Sequence, residues 1–244
     1  MKPALLVSCE HGGRRVPAPY RAIFAGAARA LESHRGWDPG ALTLARELAR
    51  DLDAPLLECT TTRLLVDTNR SAHHANVFSE WSSRLSPEQR EQVLQDWWTP
   101  HRTAVEDFVR AQVRRRRPVL HLSIHSFTPR WKGRARTVDI GFLYDSARVR
   151  ERAFAVAWLA RLRERRADLR LRRNQPYRGN ADGLTTAMRA RFEPNQYLGI
   201  ELEVSQRFPL GAAAAWRRLR ADLEQSLQDT LSPQLAKDWL HLDA

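Results

Sequence analysis

The order of its apolar segments predicts an α/β fold for this chain of 244 residues. Short apolar runs without Gly or Pro, typical of buried strands, alternate with longer segments whose apolar residues recur at helical spacing. Strands that alternate with helices predict a largely parallel sheet with helices on both faces. At this length we expect a single domain that spans residues 1–244.

The first strand and the first helix have the clearest signals. Residues 4–9 are apolar, and the chain then turns polar at 10–13, which predicts a buried strand that ends in a loop. A helix is expected to begin at Asp38, in the N-cap position, and to continue to Leu52, with Pro39 as its first residue. The polar loop is the first candidate for a functional site.

The segment that follows contains two short strand signals and one long helix. The apolar runs 55–59 and 63–66 are each compatible with a strand. Ser86-Pro87-Glu88-Gln89 is a capping box with Pro at the first helical position, and it predicts a helix that extends to about residue 117. The Trp97-Trp98-Thr99-Pro100 stretch is expected to kink or split this helix.

The second half of the chain again alternates between strands and helices. Residues 119–124 predict a strand that leads to His125 and a polar loop. Further strands are expected at 137–144 and 197–204, and helices at 148–166 and 210–231. The polar stretch 172–183, rich in Arg, is a candidate insertion or substrate loop.

Composition limits the class of partner. The chain has 40 Lys and Arg against 28 Asp and Glu, a net charge of +12, and only three of the forty are Lys. Such a charge can attract nucleic acid. The use of Arg in place of Lys together with many Ala, however, favours a coding bias, so we expect a small-molecule substrate and no nucleic acid.

Cysteine content and the N-terminal sequence indicate the compartment. Cys9 and Cys59 cannot form a disulfide framework for a chain of this size. The first apolar run is too short for a secretion signal, and no later stretch approaches the length of a membrane span. A cytoplasmic protein without a membrane segment is therefore expected.

Chemically active side chains follow the predicted strands. Ligands bind at the carboxyl ends of strands in open α/β sheets, and these ends carry His11, residues 67–70, His125 and Glu203. Two His and one carboxylate are the usual ligands of catalytic zinc, which lowers the pKa of a water in the remaining position. His121 shares a strand face with His125 and is an alternative ligand.

Seven short blocks between residues 5 and 206 carry a resemblance to a known family: SCEHGGRRVP, GWDPGA, RLLVDTNRS, HLSIHSFTP, DIGFLYD, NQPYRG and GIELEVSQ. They occur in the order seen in the N-formylglutamate amidohydrolase family, which the chain therefore resembles. The resemblance implies hydrolysis of an N-formyl or other N-acyl amino acid, such as N-formylglutamate. It also implies a three-layer α/β/α fold with a mixed, largely parallel sheet, as in zinc carboxypeptidases and related phosphorylase/hydrolase-like proteins.

The same resemblance implies a set of catalytic roles. One Zn²⁺ per chain is expected, with His11 and His125 as ligands and Glu203 as the base that deprotonates water and later protonates the leaving amine. The first motif of the fold places a Glu three residues after its His, where this chain has Arg14. Asp38 is therefore expected as the third ligand, although it is also the N-cap candidate.

Glu10 is the alternative third ligand, or else a carboxylate that orients a metal-binding His ring. For the substrate, Arg70 and Arg136 are expected to bind a carboxylate, and Asn174 and Tyr177 to donate hydrogen bonds to the substrate or the oxyanion.

Two other functions remain open at this point. Cys9 and His11 lie two residues apart on one strand and could serve as nucleophile and base of a cysteine amidase. A basic nucleic-acid-binding protein without catalysis is the non-enzymatic alternative.

Overall fold

Eight strands are present in the computed structural model, which describes residues 3–234 and 239. They are β1 (Ala4–Cys9), β2 (Leu56–Glu58), β3 (Val119–Phe127), β4 (Arg130–Trp131), β5 (Arg134–Ala135), β6 (Ile140–Leu143), β7 (Leu171–Arg173) and β8 (Tyr197–Ser205). Six of them form the central sheet in the order β2-β1-β3-β8-β6-β7, and β4 and β5 form a separate hairpin.

The central sheet is mixed and mostly parallel. Strands β2, β1, β3 and β8 run in one direction, so their carboxyl ends meet at one edge. Strand β6 is antiparallel to β8, and β7 is parallel to β6. The predicted fold class is thereby confirmed.

Seven α-helices lie among the described residues, and five of them cover the two faces of this sheet. The seven are α1 (Ala28–Glu32), α2 (Ala41–Asp51), α3 (Pro87–Val93), α4 (Thr99–Arg114), α5 (Val149–Arg165), α6 (Leu184–Arg189) and α7 (Ala213–Leu231). Helices α2, α5 and α7 pack in the larger hydrophobic cluster on one face, and α4 and α6 pack in a smaller one on the other. Among the described residues no helix is both long and apolar enough to cross a membrane.

The two faces of the sheet differ in chemistry because strand residues alternate. In β8, Ile200, Leu202 and Val204 belong to the larger cluster, and Glu201 and Glu203 project from the opposite face.

Strand β3 repeats this arrangement. Leu122 and Ile124 pack in the larger cluster, and Ser123 and His125 lie on the polar face. The register pairs His125 with Glu203, so two candidate residues lie side by side.

The long predicted helix is split, as its sequence suggested. The capping box is present, because the Ser86 hydroxyl accepts from the Gln89 amide and the Gln89 side chain accepts from the Ser86 amide. A π-helical turn, Leu94–Trp98, then separates α3 from α4. The predicted ends of the other elements differ from the observed ones by up to three residues.

Two sequence-based expectations about local structure are wrong. Helix α2 begins at Ala41 and not at Pro39, and its N-cap is Gly40 in a left-handed conformation with φ of +82°. Asp38 does not cap this helix, because its carboxylate points to two histidines instead. Residues 63–66 form turns and not a strand, since their apolar side chains pack in a third cluster outside the sheet.

Candidate active site

A cleft of about 640 Å³ opens at the edge where the parallel strands end. Three buried side chains line it and approach one another from different segments: His11 from the turn after β1, Asp38 from the turn before α2, and His125 from β3. One ligand atom from each lies within 4.8 Å of the others. This set could hold a metal ion.

The loop that carries His11 is tightly packed. The Asp38 amide donates to the His11 carbonyl oxygen at 2.9 Å, which ties the two turns together. A Cβ at Gly13 would lie 2.4 Å from the backbone oxygen of Thr60, so only glycine allows this approach.

Both histidines present the same ring atom to Asp38. Asp38 Oδ2 lies 3.0 Å from His125 Nδ1 and 3.4 Å from His11 Nδ1. The outer nitrogens contact other carboxylates: His11 Nε2 lies 2.7 Å from Asp67 Oδ1, and His125 Nε2 lies 3.0 Å from Glu10 Oε2. Each imidazole therefore stands between two carboxylates.

This arrangement requires a cation or an extra proton. A neutral imidazole carries a hydrogen on one nitrogen, and the lone pair of the other nitrogen would then face a carboxylate. Asp67 and Glu10 are well placed to accept from the Nε2–H groups, which leaves the Nδ1 lone pairs of His11 and His125 directed at Asp38. A metal ion between these three groups would satisfy all of them, so the donor set fits a metal.

The charge balance supports the same conclusion. Burial alone would raise the pKa of Asp38, Asp67 and Glu10. Nearby histidines outweigh this effect and hold the pKa of each carboxyl group below its ordinary value. For the two aspartates, Arg63 acts in the same direction. Arg63 donates to Asp67 at 2.5 Å and lies 3.6 Å from Asp38. This arginine, which the sequence does not distinguish from the other arginines, partly neutralises the cluster.

The pKa of His125 shifts in the direction expected next to carboxylates. Burial would lower it, but hydrogen bonds with Asp38 and Glu10 raise it well above its ordinary value. A positive charge at this position is thus strongly favoured, whether it is a proton or a metal ion.

Glu203 lines the same cleft and differs from the other carboxylates. Its side chain is buried, and Oε2 has no hydrogen-bond partner among the described residues. Burial raises its pKa to about 8, and the charge of His125 only partly offsets this effect. A carboxyl group with a raised pKa at the edge of a cleft is suited to transferring protons. Glu201 differs, since it accepts from the Thr185 hydroxyl at 2.6 Å.

The predicted substrate-binding residues occupy different positions. Arg70 lines the cleft, and its guanidinium donates to the backbone oxygen of Asp182 at 2.7 Å. Tyr177 also lines the cleft and accepts from Arg136 at 3.1 Å. Asn174 is engaged in its own loop, because its side chain accepts from two backbone amides and donates to a serine hydroxyl. The structure thus gives Asn174 a role in loop structure.

Sequence reasoning missed several polar residues that line the cleft. They are His34, Arg35, Arg63 and Asn76, whereas Asn69, Arg178 and Asp182 lie in segments that the sequence had already marked as candidates. Some lie in the blocks of the family resemblance, but nothing in a single sequence distinguishes them from other surface residues.

His121 and Cys9, the alternatives that the sequence left open, are both fully buried. Both ring nitrogens of His121 have partners outside the cluster, the Tyr197 hydroxyl and the Ser8 hydroxyl, each at 2.7 Å. Cys9 is fully buried, and burial followed by the charge of Glu10 raises its thiol pKa well above the ordinary value. A thiol of this kind is a poor nucleophile at neutral pH.

Comparisons with known proteins identify the family of the chain. The family model described as N-formylglutamate amidohydrolase matches residues 3–208. A solved gene product of Agrobacterium tumefaciens is 29% identical, with a TM-score of 0.76, and the match covers 95% of this chain and 93% of that one. An N-formylglutamate amidohydrolase from Ralstonia eutropha is 17% identical, with a TM-score of 0.70 and 93% of each chain covered, which shows the fold alone.

None of the curated proteins matches the chain. The family match nevertheless extends over most of its length and contains every residue of the candidate site. The chain therefore belongs to the N-formylglutamate amidohydrolase family and is a hydrolase of that type.

Proposed function

We propose that this chain is a zinc-dependent amidohydrolase that cleaves the amide bond of an N-formyl or other N-acyl amino acid, such as N-formylglutamate. The observation that carries the proposal is the meeting of His11, Asp38 and His125 beside Glu203 in one cleft. Family membership supports the class of reaction. The donor set and the excess of buried carboxylates support the metal.

Zinc would be held by Nδ1 of His11, Nδ1 of His125 and a carboxylate oxygen of Asp38. When bound, it would polarise the amide carbonyl and lower the pKa of a water molecule. Asp67 and Glu10 would accept from the Nε2–H groups and so keep each ring in the tautomer whose Nδ1 is free to bind a cation. Glu10 thus takes the orienting role for His125 and not for its sequence neighbour His11.

Glu203 is the group that moves the proton. In its ionised form it accepts a proton from the attacking water, and it then delivers this proton to the nitrogen of the leaving amine. One water and one amide thereby give a carboxylic acid and an amine. The raised pKa of about 8 supports a group that must hold a proton during part of each turnover.

The substrate carboxylate would be bound by Arg70, whose guanidinium is held beside the cleft by Asp182. Arg136 and Tyr177 would contact the substrate from the rim, where they are bonded to each other. Planar guanidinium groups bind carboxylates through paired hydrogen bonds.

We also propose a reducing compartment such as the cytoplasm, because both cysteines are free.

The test is the release of formate from N-formyl-L-glutamate by zinc-loaded protein, with two matched variants on one strand face. Glu203→Gln is expected to lower kcat by about a hundredfold or more, because it removes the proton carrier. Glu201→Gln, on the same face of β8, is expected to change kcat by less than about tenfold. No activity on any N-acyl amino acid would contradict the proposal, and a greater loss in Glu201→Gln would contradict the assignment of the base.

A further inference from the structure

The cleft is larger than the smallest substrate of the proposed reaction requires. Its volume of about 640 Å³ falls in the range of sites that bury drug-sized ligands. A formyl group adds only one carbon and one oxygen to the amino acid. Space for a larger substituent is therefore available beside the scissile amide.

Two exposed aromatic rings line this space. Trp131 is 52% exposed and Tyr177 is 45% exposed, and both line the cleft. Among the described residues only two other large hydrophobic side chains, Val156 and Leu210, are exposed, and neither lines the cleft. Exposed aromatic surface beside a cleft is typical of ligand contact.

The rings are held in place before any ligand binds. The Arg136 guanidinium carbon lies 5.5 Å from the Trp131 ring centre and 5.1 Å from that of Tyr177. It also lies 5.4 Å from the ring centre of Phe127, which is buried at the end of β3. A cation stacked among three rings fixes their positions, so a ligand does not have to order them.

The hairpin that carries Trp131 has a matching local structure. Its strands β4 and β5 pair through Arg130 with Ala135 and Trp131 with Arg134. The turn residues Lys132 and Gly133 both have positive φ, of 47° and 78°, as in the tight turns of regular hairpins. The hairpin therefore presents Trp131 in a defined position at the cleft.

We propose that Trp131 and Tyr177 form a subsite for an aromatic ring of the substrate, so that the preferred N-acyl amino acid carries such a ring. The inference rests on the proposed function. The ring could belong to the acyl group or to the amino acid side chain, since both extend from the same amide. A ring stacked against Trp131 would be worth about tenfold in kcat/KM.

Two matched pairs of substrates test the subsite and the position of the ring. N-phenylacetyl-L-glutamate is compared with N-acetyl-L-glutamate, and N-formyl-L-phenylalanine with N-formyl-L-alanine, so that the members of each pair differ by one phenyl ring. We expect the ring-bearing member of one pair to have a kcat/KM about tenfold higher, and that pair identifies the position. Trp131→Ala is expected to abolish the preference and Trp131→Phe to retain most of it. Val156→Ala, an exposed apolar residue of α5 outside the cleft, is expected to change nothing.

The subsite is contradicted if neither pair favours the ring, or if Trp131→Ala lowers kcat/KM for all four substrates equally. Calorimetric titration of zinc-free protein with the two ring-bearing compounds separates this failure from a failure of the proposed function. If no compound is hydrolysed, binding that is lost in Trp131→Ala still supports the subsite, and the absence of binding overturns it.

Discussion

Substitution of Asp67 removes the carboxylate that faces the outer nitrogen of His11 at 2.7 Å. Both groups are buried, so water cannot replace the lost contact fully. A hydrogen bond to a charged group contributes about 1.5–3 kcal/mol, which corresponds to roughly ten- to hundredfold in a binding constant. We expect Asp67→Asn to weaken zinc binding by about tenfold, because the amide retains an acceptor, and Asp67→Ala by about a hundredfold.

The assay is the dissociation constant of zinc, measured by competition with a chromogenic chelator. Asp107→Asn is the matched control, because Asp107 is exposed on α4 and far from the metal ligands in sequence. Asp67→Ala also removes the 2.5 Å partner of Arg63, so thermal unfolding of the zinc-free proteins is measured in parallel. Zinc affinities within threefold of the unmodified protein in both Asp67 variants would refute the orienting role of this carboxylate.

Three further predictions concern other residues. Cys9→Ala is expected to leave kcat/KM within about twofold, because the buried thiol has a raised pKa, and a loss of a hundredfold would favour the cysteine mechanism. Arg70→Lys is expected to raise KM about tenfold with a smaller effect on kcat, since Lys cannot bind a carboxylate through paired hydrogen bonds; an unchanged KM for N-formyl-L-glutamate would exclude this contact. Burial lowers the pKa of His121 to about 4. Between about pH 6.5 and pH 4 this histidine is therefore protonated in the unfolded chain but neutral in the folded protein. As a result, the free energy of unfolding falls as the pH decreases through this range. At pH 5 this loss of stability is about 2 kcal/mol. In urea unfolding, the difference in free energy of unfolding between the unmodified protein and His121→Gln is therefore expected to be about 2 kcal/mol smaller at pH 5 than at pH 7.5. An equal difference at the two pH values would contradict this prediction.

The sheet and its polar face could be predicted from the sequence because strand periodicity is local. The alternation of Glu201 and Glu203 with aliphatic residues already places both carboxylates on one face, and the structure agrees. The capping box before α3 is also local information, since its two hydrogen bonds join residues three apart.

Errors arose where an apolar run has more than one way to become buried. Residues 63–66 have the composition of a strand, but they pack under the loops with Tyr20, Phe24 and Val93. A short apolar run does not distinguish these outcomes. Asp38 was ambiguous for a similar reason, because a carboxylate before a helix can cap it or bind elsewhere. The left-handed Gly40 allows the helix to begin later and leaves the carboxylate free.

The contacts around the histidines could not be predicted, since they join distant parts of the chain. Asp67 contacts His11 across 56 positions, and Glu10 contacts His125 and not its sequence neighbour. The sequence shows that Asp67 and Glu10 are carboxylates, but it does not indicate which histidine each of them contacts. Both Glu10 and His11 lie in the turn after β1, where strand alternation no longer fixes the direction of a side chain.

The zinc content of the purified protein tests the central claim most directly. We expect about one zinc per chain by elemental analysis, with little or none in His11→Ala and His125→Ala. His73→Ala, which alters an exposed histidine, is expected to retain it. Absence of metal from the unmodified protein after reloading, or full retention in both ligand variants, would contradict the metal site and with it the proposed mechanism.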